Sequence, residues 1–353
     1  MDKKVTMQDI ANQLNISKNS VSQALTGKPG VSEETRELVR RTAEELGYSF
    51  TNIRTHKQPE QKENKNIALI ASDYAFSLKS FFGEIYLSVE KELRSRGMNL
   101  YIESINQSSK EKLILPALLT NQKIDGILIL SHISTEYIQK VLSTGIPTVL
   151  VDHHSPYLQA DSILTNNRFG AFTAVEHLIK LGHQEIAFVG NTEVSPSYQE
   201  RRDGYLLALE KYGITPKPEF MFTSVQETQE DILSIMESLT TRPTAWFCVN
   251  DGFGFLVQST LQQKGFKIPE DASVCSFDNG QLSQIATPKI TTMEIDLNLF
   301  GKQAVDQLCW RINHKHDPIH EVLLPTTLLI RDSTSVRRDA GTGSLSQFPV
   351  PPK

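Results

Sequence analysis

The feature that most constrains the fold is a regular alternation of short aliphatic runs with amphipathic stretches, from Ile67 almost to the end of the chain. Seven of these runs predict strands, and they are IALIAS (67–72), MNLYIES (98–104), GILILS (126–131), TVLVD (148–152), IAFVG (186–190), AWFCVN (245–250) and SVCSF (273–277). Strands that are apolar at nearly every position are buried on both faces, as in parallel sheets covered by helices. Roughly 270 residues of this pattern exceed one sheet. We therefore predict two doubly wound lobes that bind ligands beyond the carboxyl ends of their strands.

The N-terminal segment has a different pattern, that of three short helices. A helix over 7–14 and a second over 18–25 are separated by Asn15, a residue type that tolerates the left-handed conformation of a tight turn. A third helix follows a Pro-Gly break and ends at Gly47. This spacing predicts a helix-turn-helix headpiece.

Four segments follow from these two patterns. The headpiece occupies 1–55 and the two-lobed core occupies 67–335. Between them, the linker 56–66 (HKQPEQKENKN) contains no aliphatic or aromatic hydrophobic residue. The tail 336–353, rich in Gly, Ser and Pro, is predicted to be flexible.

Charge is divided unevenly along the chain. The net charge of −5 combines a net +2 in residues 1–62 with an acidic remainder, which indicates that only the N-terminal part meets a polyanion. The three cysteines (Cys248, Cys275 and Cys309) are widely spaced among apolar neighbours and suit a reducing compartment. No apolar run approaches the ~18 residues of a membrane span, and residues 1–14 lack the apolar stretch of a secretory leader. We expect a cytoplasmic protein without a membrane partner.

The outward face of the second helix carries side chains suited to DNA. Asn and Gln pair bidentately with adenine, and Lys donates to guanine acceptors. Helix N-termini, hydroxyls and a tyrosine suit the phosphate contacts that set register. The candidate base-reading residues are Lys18, Asn19, Ser22 and Gln23, and the candidate phosphate contacts are Thr6, Ser17, Ser20 and Tyr48. An exposed polar helix face is also common in proteins that bind no DNA.

The segment VTMQDIANQLNISKNSVSQALTGKPGVSEETRELVRRTAEELGY (5–48) resembles the DNA-binding headpiece of the lactose/galactose-repressor (LacI/GalR) family. The likeness continues in TNNRFGAFTAVEHLIKLGHQEIAFVG (165–190), ERRDGYLLALEKYG (200–213), FCVNDGFGF (247–255) and IPEDASVCSFDN (268–279), and so covers about residues 5–335. It implies a periplasmic-binding-protein-like core of doubly wound parallel sheets, an α/β fold. It also implies a transcriptional repressor that binds double-stranded operator DNA as a homodimer.

The resemblance also implies an effector site. Arg201, in the R-x-x-G-Y motif, matches an arginine that reaches the effector, and Asn250 and Asp278 match polar positions at strand ends. Phe81 is a candidate apolar wall. Guanidinium, amide and carboxylate together suit a polyol such as a mono- or oligosaccharide. Each residue also has a structural alternative: a surface ion pair for Arg201, a helix cap for Asn250, an Asx turn for Asp278 and a core position for Phe81.

This chain departs from the family at several positions. Gln23 replaces a common arginine, which shifts the expected base preference from guanine toward adenine. The hinge that follows the headpiece lacks its Pro-Asn start, and Lys57 stands where a leucine would wedge a base step. Arg54 and Lys57 are therefore expected to contact DNA electrostatically. The leucine heptads of tetrameric members are absent, which favours a dimer.

Other classes of function have little support. Gly252-x-Gly254 lacks the third glycine of a dinucleotide loop. The histidines at 153–154 and 314–316 have no further metal ligands placed by spacing, and no catalytic constellation is present. We therefore predict neither metal, cofactor nor enzymatic activity. A regulator responsive to nucleosides or purines, or one that needs a corepressor, remains an alternative, as does a solute-binding protein of the same two-lobed fold.

Overall fold

The structure, a computed structural model, describes residues 5–48, 64–73, 75, 79–130 and 133–337. The chain forms two compact units, Met1–Asn64 and Lys65–Lys353. The described residues of the first unit form three helices, α1 (Met7–Leu14), α2 (Lys18–Thr26) and α3 (Glu33–Glu45). They pack around an apolar cluster that includes Ile10, Val21 and Val39, none of them exposed.

The second unit alternates strands and helices, as its sequence pattern predicts. Its strands are β1 (Asn66–Ser72), β2 (Asn99–Ile105), β3 (Gly126–Leu130), β4 (Thr148–Val151), β5 (Asp161–Thr165), β6 (Ile186–Val189), β7 (Met221–Phe222), β8 (Ala245–Cys248), β9 (Ser273–Asp278), β10 (Thr291–Ile295), β11 (Glu321–Leu324) and β12 (Thr326–Leu329). Its α-helices are α4 (Glu84–Ser95), α5 (Gln107–Glu111), α6 (Leu118–Asn121), α7 (Thr135–Leu142), α8 (Asn167–Lys180), α9 (Pro196–Lys211), α10 (Gln229–Ser238), α11 (Asp251–Gln263), α12 (Gln281–Ile285) and α13 (Leu297–Asn313). A π-helix (Lys79–Gly83) leads into α4, and a 3₁₀ turn (Pro218–Phe220) precedes β7.

The strands form two six-stranded sheets, one in each lobe. Lobe 1 has the strand order β11-β5-β4-β3-β1-β2, and lobe 2 has the order β12-β10-β9-β8-β6-β7. Every pair is parallel except the edge pair β10–β12, which is antiparallel. The predicted α/β fold with two doubly wound lobes is confirmed, and the antiparallel edge is the one departure from all-parallel pairing.

The chain passes between the lobes three times, each time through a single residue. Asn166 joins β5 to α8, Asp296 joins β10 to α13, and Pro325 joins β11 to β12. The first two also cap the helix that follows, since the side chain of Asn166 accepts from the Phe169 amide and that of Asp296 from the Leu299 amide. Lobe 1 is therefore built from β1–β5 together with α13 and β11, which come from near the end of the chain.

The segment boundaries differ slightly from the predicted ones. The strand β1 begins at Asn66, the last residue of the predicted linker, and the Asn66 amide donates to Asp125 at 2.8 Å. At the other end, the core reaches two residues into the predicted tail, where the Arg337 amide donates to the Leu181 carbonyl at 2.8 Å. Within the described part of the chain, no helix is both long and apolar enough to cross a membrane.

Candidate functional site

The turn between α1 and α2 has the geometry that its sequence predicts. Asn15 adopts the left-handed conformation at φ 52°, and the Ile16 amide donates to the Ala11 carbonyl. Gly27 ends α2 in the same conformation. Arg36 then donates to the carbonyls of Gln23, Ala24 and Lys28, so a side chain from α3 satisfies the carboxyl end of α2. These contacts fix α2 against the rest of the headpiece.

Three of the predicted phosphate-contacting side chains stabilise the helices themselves. The Thr6 amide and hydroxyl both donate to Asp9, at 2.8 and 2.7 Å. The Ser17 Oγ accepts from the Ser20 amide at 2.9 Å and lies 2.8 Å from the Ser20 hydroxyl. Tyr48 is half-buried against the headpiece core. For Ser17, capping and phosphate contact are compatible, because a hydroxyl that accepts one hydrogen bond can still donate another. The Thr6 hydroxyl already donates to Asp9 and must give up that bond to donate to a phosphate.

The predicted base-reading side chains share one helix but differ in exposure. Lys18 and Asn19 are exposed, whereas Ser22 and Gln23 are half-buried. A Cβ built on Gly30 would lie 2.9 Å from the Gln23 Oε1, so the Gln23 amide rests on the loop that follows α2. Gly30 has a φ of 123°, a conformation that other residues rarely adopt. The two remaining candidates, Arg54 and Lys57, lie outside the described residues.

In lobe 2, α9 holds Arg201 with only 2% of the residue exposed. Its Nε donates to the Asn167 Oδ1 at 2.9 Å and its Nη1 donates to the Val249 carbonyl at 2.6 Å. The same Nη1 lies 3.0 Å from the Asp278 Oδ1, and the guanidinium carbon is 3.8 Å from the centre of the Phe277 ring. Arg201 is therefore a buried, fixed guanidinium rather than a surface ion pair.

Asp278 lies at the carboxyl end of β9 in a strained backbone conformation, with a φ of 106°. Such strain persists only where surrounding contacts impose it. The neighbouring loop is held by Asn279, which donates to Glu294 at 2.9 Å, and by Asp251, which accepts from the Gly280 amide. Burial raises the pKa of Asp278, and the Arg201 guanidinium opposes that rise.

Asn250 caps α11 and also reaches toward the same cluster. Its Oδ1 accepts from the Phe253 amide at 2.8 Å. Its Nδ2 donates to the Tyr198 hydroxyl and to the Glu227 Oε2, both at 2.8 Å. The helix cap considered as an alternative is thus present, and the amide nitrogen contacts the cluster as well. The Asn250 Nδ2 could bind a ligand only if the ligand replaced one of these two acceptors, whereas Oδ1 can still accept a second hydrogen bond.

Arg201, Asn250 and Asp278 lie together, and Phe81 lies apart from them in lobe 1. The Arg201 Nη1 lies 3.0 Å from the Asp278 Oδ1 and also donates to the carbonyl of Val249, the residue before Asn250. Phe81 is half-buried and packs edge-to-face on Phe82, with ring centres 4.9 Å apart. The contacts of the described residues do not join Phe81 to Arg201.

Lobe 1 contributes residues that the sequence did not single out as effector ligands. Asp152 follows β4 at a φ of 55°, and its Oδ1 accepts from the Ser197 hydroxyl of α9 at 2.8 Å. Beside it, the His154 Nε2 lies 2.9 Å from the Glu200 Oε1 of α9, and the His154 Nδ1 lies 3.3 Å from the Glu321 Oε1 of β11. These contacts connect the two lobes one turn of α9 before Arg201. The sequence signal that could have identified Asp152 was its position as a carboxylate at the end of the apolar strand 148–152.

Burial governs the charge of these groups. It raises the pKa of Asp152 to about 7, against the opposing effect of Arg201. The hydrogen bond to Glu200 raises the pKa of His154. Burial lowers the pKa of His153 to about 4 and keeps that ring neutral. No group of three or more metal-ligating side chains occurs in the described ranges.

A cavity of ≈ 570 Å³ opens beside this cluster. Lobe 1 lines it with residues after β3 and β4, including Ile133 and His153, and lobe 2 lines it with Pro196 and Gln226. Its volume lies within the range of about 300–1,000 Å³ that small-molecule sites occupy.

Comparisons with known proteins agree with this architecture. Residues 6–50 match the model of bacterial regulatory proteins of the lacI family, and residues 175–334 match a periplasmic binding protein-like domain. The ribose operon repressor of Haemophilus influenzae is 30% identical over 331 residues, covering 93% of this chain and 98% of that protein.

Two solved structures extend the likeness. The complex of the transcriptional regulator CelR with cellobiose is 25% identical, with a TM-score of 0.68 over 93% of this chain and 99% of that one. The lac repressor dimer bound to operator and an anti-inducer shares the fold at 24% identity, with a TM-score of 0.69 over 94% of this chain and 100% of that one. The chain belongs to the LacI family of bacterial regulators, as a DNA-binding transcriptional repressor with an effector-binding core.

Proposed function

We propose that this repressor is controlled by a polyhydroxylated small molecule, of the sugar class, that binds between the two lobes of its core. The observation that carries the proposal is the buried Arg201–Asp278 pair at the strand ends of lobe 2, next to the Asp152–Ser197 contact with lobe 1. A guanidinium and a carboxylate fixed side by side offer paired donors and acceptors, which match vicinal hydroxyls. The names of the ribose repressor and of the CelR–cellobiose complex agree with that class.

The proposed mechanism uses the contacts between lobes. A ligand that touches both lobes changes their relative closure, and in a homodimer closure alters the spacing of the two headpieces on operator half-sites about 34 Å apart. The ligand must bind the two closure states unequally, because otherwise no population shifts. Within this proposal, the side chains of α2 that read bases are Lys18, Asn19, Ser22 and Gln23. The side chains that contact the sugar-phosphate backbone of the DNA are Thr6, Ser17, Ser20, Tyr48, Arg54 and Lys57.

The test combines two measurements on the full-length protein. A thermal-shift screen covers D-ribose, cellobiose, adenosine and hypoxanthine, because a ligand at 100 times its dissociation constant stabilises the folded state by about 2.7 kcal/mol. Fluorescence anisotropy of labelled operator DNA then shows whether the stabilising ligand weakens binding. Release by a sugar supports the proposal. Stabilisation by adenosine or hypoxanthine alone favours the nucleoside or purine alternative, and tighter DNA binding identifies a corepressor.

A further inference from the structure

The cavity and the polar cluster are two parts of one cleft between the lobes. Three of the residues that line the cavity are direct chain neighbours of cluster residues: His153 follows Asp152, Pro196 precedes Ser197, and Gln226 precedes Glu227. The cavity wall and the polar cluster are therefore adjacent along the chain at three places, and His153 belongs to that wall.

His153 is a buried polar side chain without a partner. It is 8% exposed and lines the cavity, and neither ring nitrogen has a hydrogen-bond partner in the part of the chain that the structure describes. Buried polar groups in native proteins are nearly always paired, so an unpaired imidazole at a cavity wall indicates a position for a ligand. A neutral imidazole offers one donor and one acceptor.

The charges around the cleft are unbalanced. Asp152, Asp278 and Glu227 contribute three carboxyl groups, of which Asp152 is only partly ionised at pH 7 because burial raises its pKa to about 7. Arg201 is the cation among them and is paired with Asp278. Asp152 and Glu227 are hydrogen-bonded to the neutral side chains of Ser197 and Asn250, and neither pairs with a basic side chain among the described residues. Lys110 and Glu193 also line the cavity and contribute one charge of each sign, so they do not change this imbalance.

Glu227 is held close to the cleft by a glycine. A Cβ built on Gly252 would lie 1.8 Å from the Glu227 Oε1, so only a residue without a side chain lets that carboxylate rest on the first turn of α11. Asn250, the cap of that helix, fixes the other oxygen at 2.8 Å. The position of the Glu227 carboxylate is thus set by two residues, Gly252 and Asn250.

We infer that the effector carries a protonated amine as well as hydroxyl groups, as an amino sugar does, and that Glu227 and Asp152 select this charge. The inference rests on the proposed function and names the ligand class of the same cleft. A neutral polyol leaves the carboxylates unpaired, and a carboxylate-bearing sugar adds a further negative charge. An ammonium group relieves their repulsion and donates to the acceptor nitrogen of His153.

The test compares sugars that differ in one group. Isothermal titration at pH 7 with D-glucosamine, N-acetyl-D-glucosamine, D-glucose and D-glucuronate, and with the galactose counterparts, varies charge on a fixed ring. We expect the amine to bind at least about tenfold more tightly than the hydroxyl or N-acetyl analogue, since an opposite charge within about 4–6 Å is worth about one pKa unit or more, which is that factor. If no amine binds better than its neutral counterpart in either series, the inference is wrong.

Two variants test the residues. Glu227→Gln should remove most of the amine preference, whereas the control Glu230→Gln, in the exposed first turn of α10, should leave that preference in place. His153→Phe removes the unpaired ring nitrogens, so it should keep or raise thermal stability while weakening amine binding.

Unchanged amine preference in Glu227→Gln would overturn the inference. A response of operator binding to a neutral or acidic sugar alone would also overturn it but leave the proposed function intact, and no change in operator affinity with any sugar would contradict both.

Discussion

The guanidinium of Arg201 is enclosed by protein, yet only part of its donor capacity is used. Of its five N–H groups, one donates from Nε to Asn167, and the two on Nη1 face the Val249 carbonyl and Asp278. Among the described residues nothing accepts from Nη2. The unused edge of the guanidinium can therefore donate to a ligand while the rest of the side chain stays fixed.

Replacing Arg201 with alanine should abolish the response to effector and leave operator binding in place. The change leaves Asp278 without its counter-ion, which for a buried pair costs about 3–5 kcal/mol of folding stability. Urea denaturation measures that loss, and anisotropy of labelled operator measures the response. As a control, Arg202→Ala removes a half-exposed pair with Asp203 and should cost about 0–1 kcal/mol.

Asp278→Asn tests the same site with less effect on folding, because the amide keeps the shape and an acceptor. It should still fold, with a smaller loss of stability than Arg201→Ala, and lose most of the effector response. A variant that folds normally, releases operator on adding ligand and matches the parent in ligand affinity would show that Asp278 does not bind the effector.

The carboxyl group of Asp152 should make stability depend on pH. Its folded pKa of about 7 lies above the ordinary value of about 3.9. Between these values the folded protein binds more protons than the unfolded chain, so this residue lowers stability as pH rises through the interval. Asp152→Asn removes that cost, which is at most about 4 kcal/mol for three pKa units. The melting temperature of the variant minus that of the parent should therefore be larger at pH 8 than at pH 5.

The other charges near Asp152 are common to both proteins in that comparison. Arg201, Asp278, Glu200 and the pair of histidines at 153–154 stay in place, so their titrations largely cancel in the difference. An equal difference at pH 5 and pH 8 would mean that Asp152 does not titrate in this interval.

Sequence reasoning proposed some residues of the candidate site and could not propose others. Arg201, Asn250 and Asp278 were predicted because they stand in extended matches to the family's sequence pattern. Asp152 and Ser197 were not predicted as partners, because their contact joins residues that are 45 positions apart and belong to different lobes. Single-residue patterns carry no information about which two segments a fold brings together.

At the scale of elements, α2 is the helix on which DNA recognition is predicted to depend. Lys18→Ala and Gln23→Ala should each relax the preference at one base pair per half-site, at a cost of about 1–3 kcal/mol for a lost bidentate contact. Gln23→Arg should shift that position toward guanine. Selection from a random operator library measures these preferences.

A control for that experiment is available in the neighbouring helix. Gln8 is exposed on α1, bonded to Asn12 at 3.0 Å, and Gln8→Ala should leave the selected sequence unchanged. Identical preferences in the parent and Gln23→Arg would place Gln23 outside the groove. The experiment is informative because the Gln23 amide rests against Gly30, and it must leave that loop to reach a base.

Helices were easier to predict than strands. Ser17 and Ser32 mark helix starts because their hydroxyls accept from the first-turn amides, and both caps are present. The strand β5 was missed because it begins with a charged residue, Asp161. That carboxylate has no exposed surface and is paired with Arg311 of α13 at 2.7 Å. The edge strands β7, β11 and β12 were missed because they have only two to four residues and are largely half-buried or exposed.

At the scale of the whole core, the three crossings between lobes should make the lobes unfold together. Each lobe contains strands from both sides of a crossing, so neither can lose its sheet without disturbing the other. The two tryptophans report on different lobes, Trp246 from β8 of lobe 2 and Trp310 from α13 of lobe 1. The variant Trp310→Phe keeps only the lobe 2 tryptophan, and Trp246→Phe keeps only the lobe 1 tryptophan. Once the effect of each substitution on stability is subtracted, the fluorescence of the two variants should give the same urea midpoint. Two separate midpoints within one variant, seen by fluorescence and by circular dichroism, would contradict a single transition.

The late position of α13 and β11 has a consequence for the order in which the molecule is made. Lobe 1 begins at Asn66 but needs residues 297–324 to cover and complete its sheet, and lobe 2 needs β12 at 326–329. Domains generally fold as they leave the ribosome, N-terminal first. The headpiece can fold early as a compact unit of its own, whereas both lobes must wait for nearly the last residues of the core. A chain cut short during translation therefore carries a finished DNA-binding unit on a core that cannot be completed.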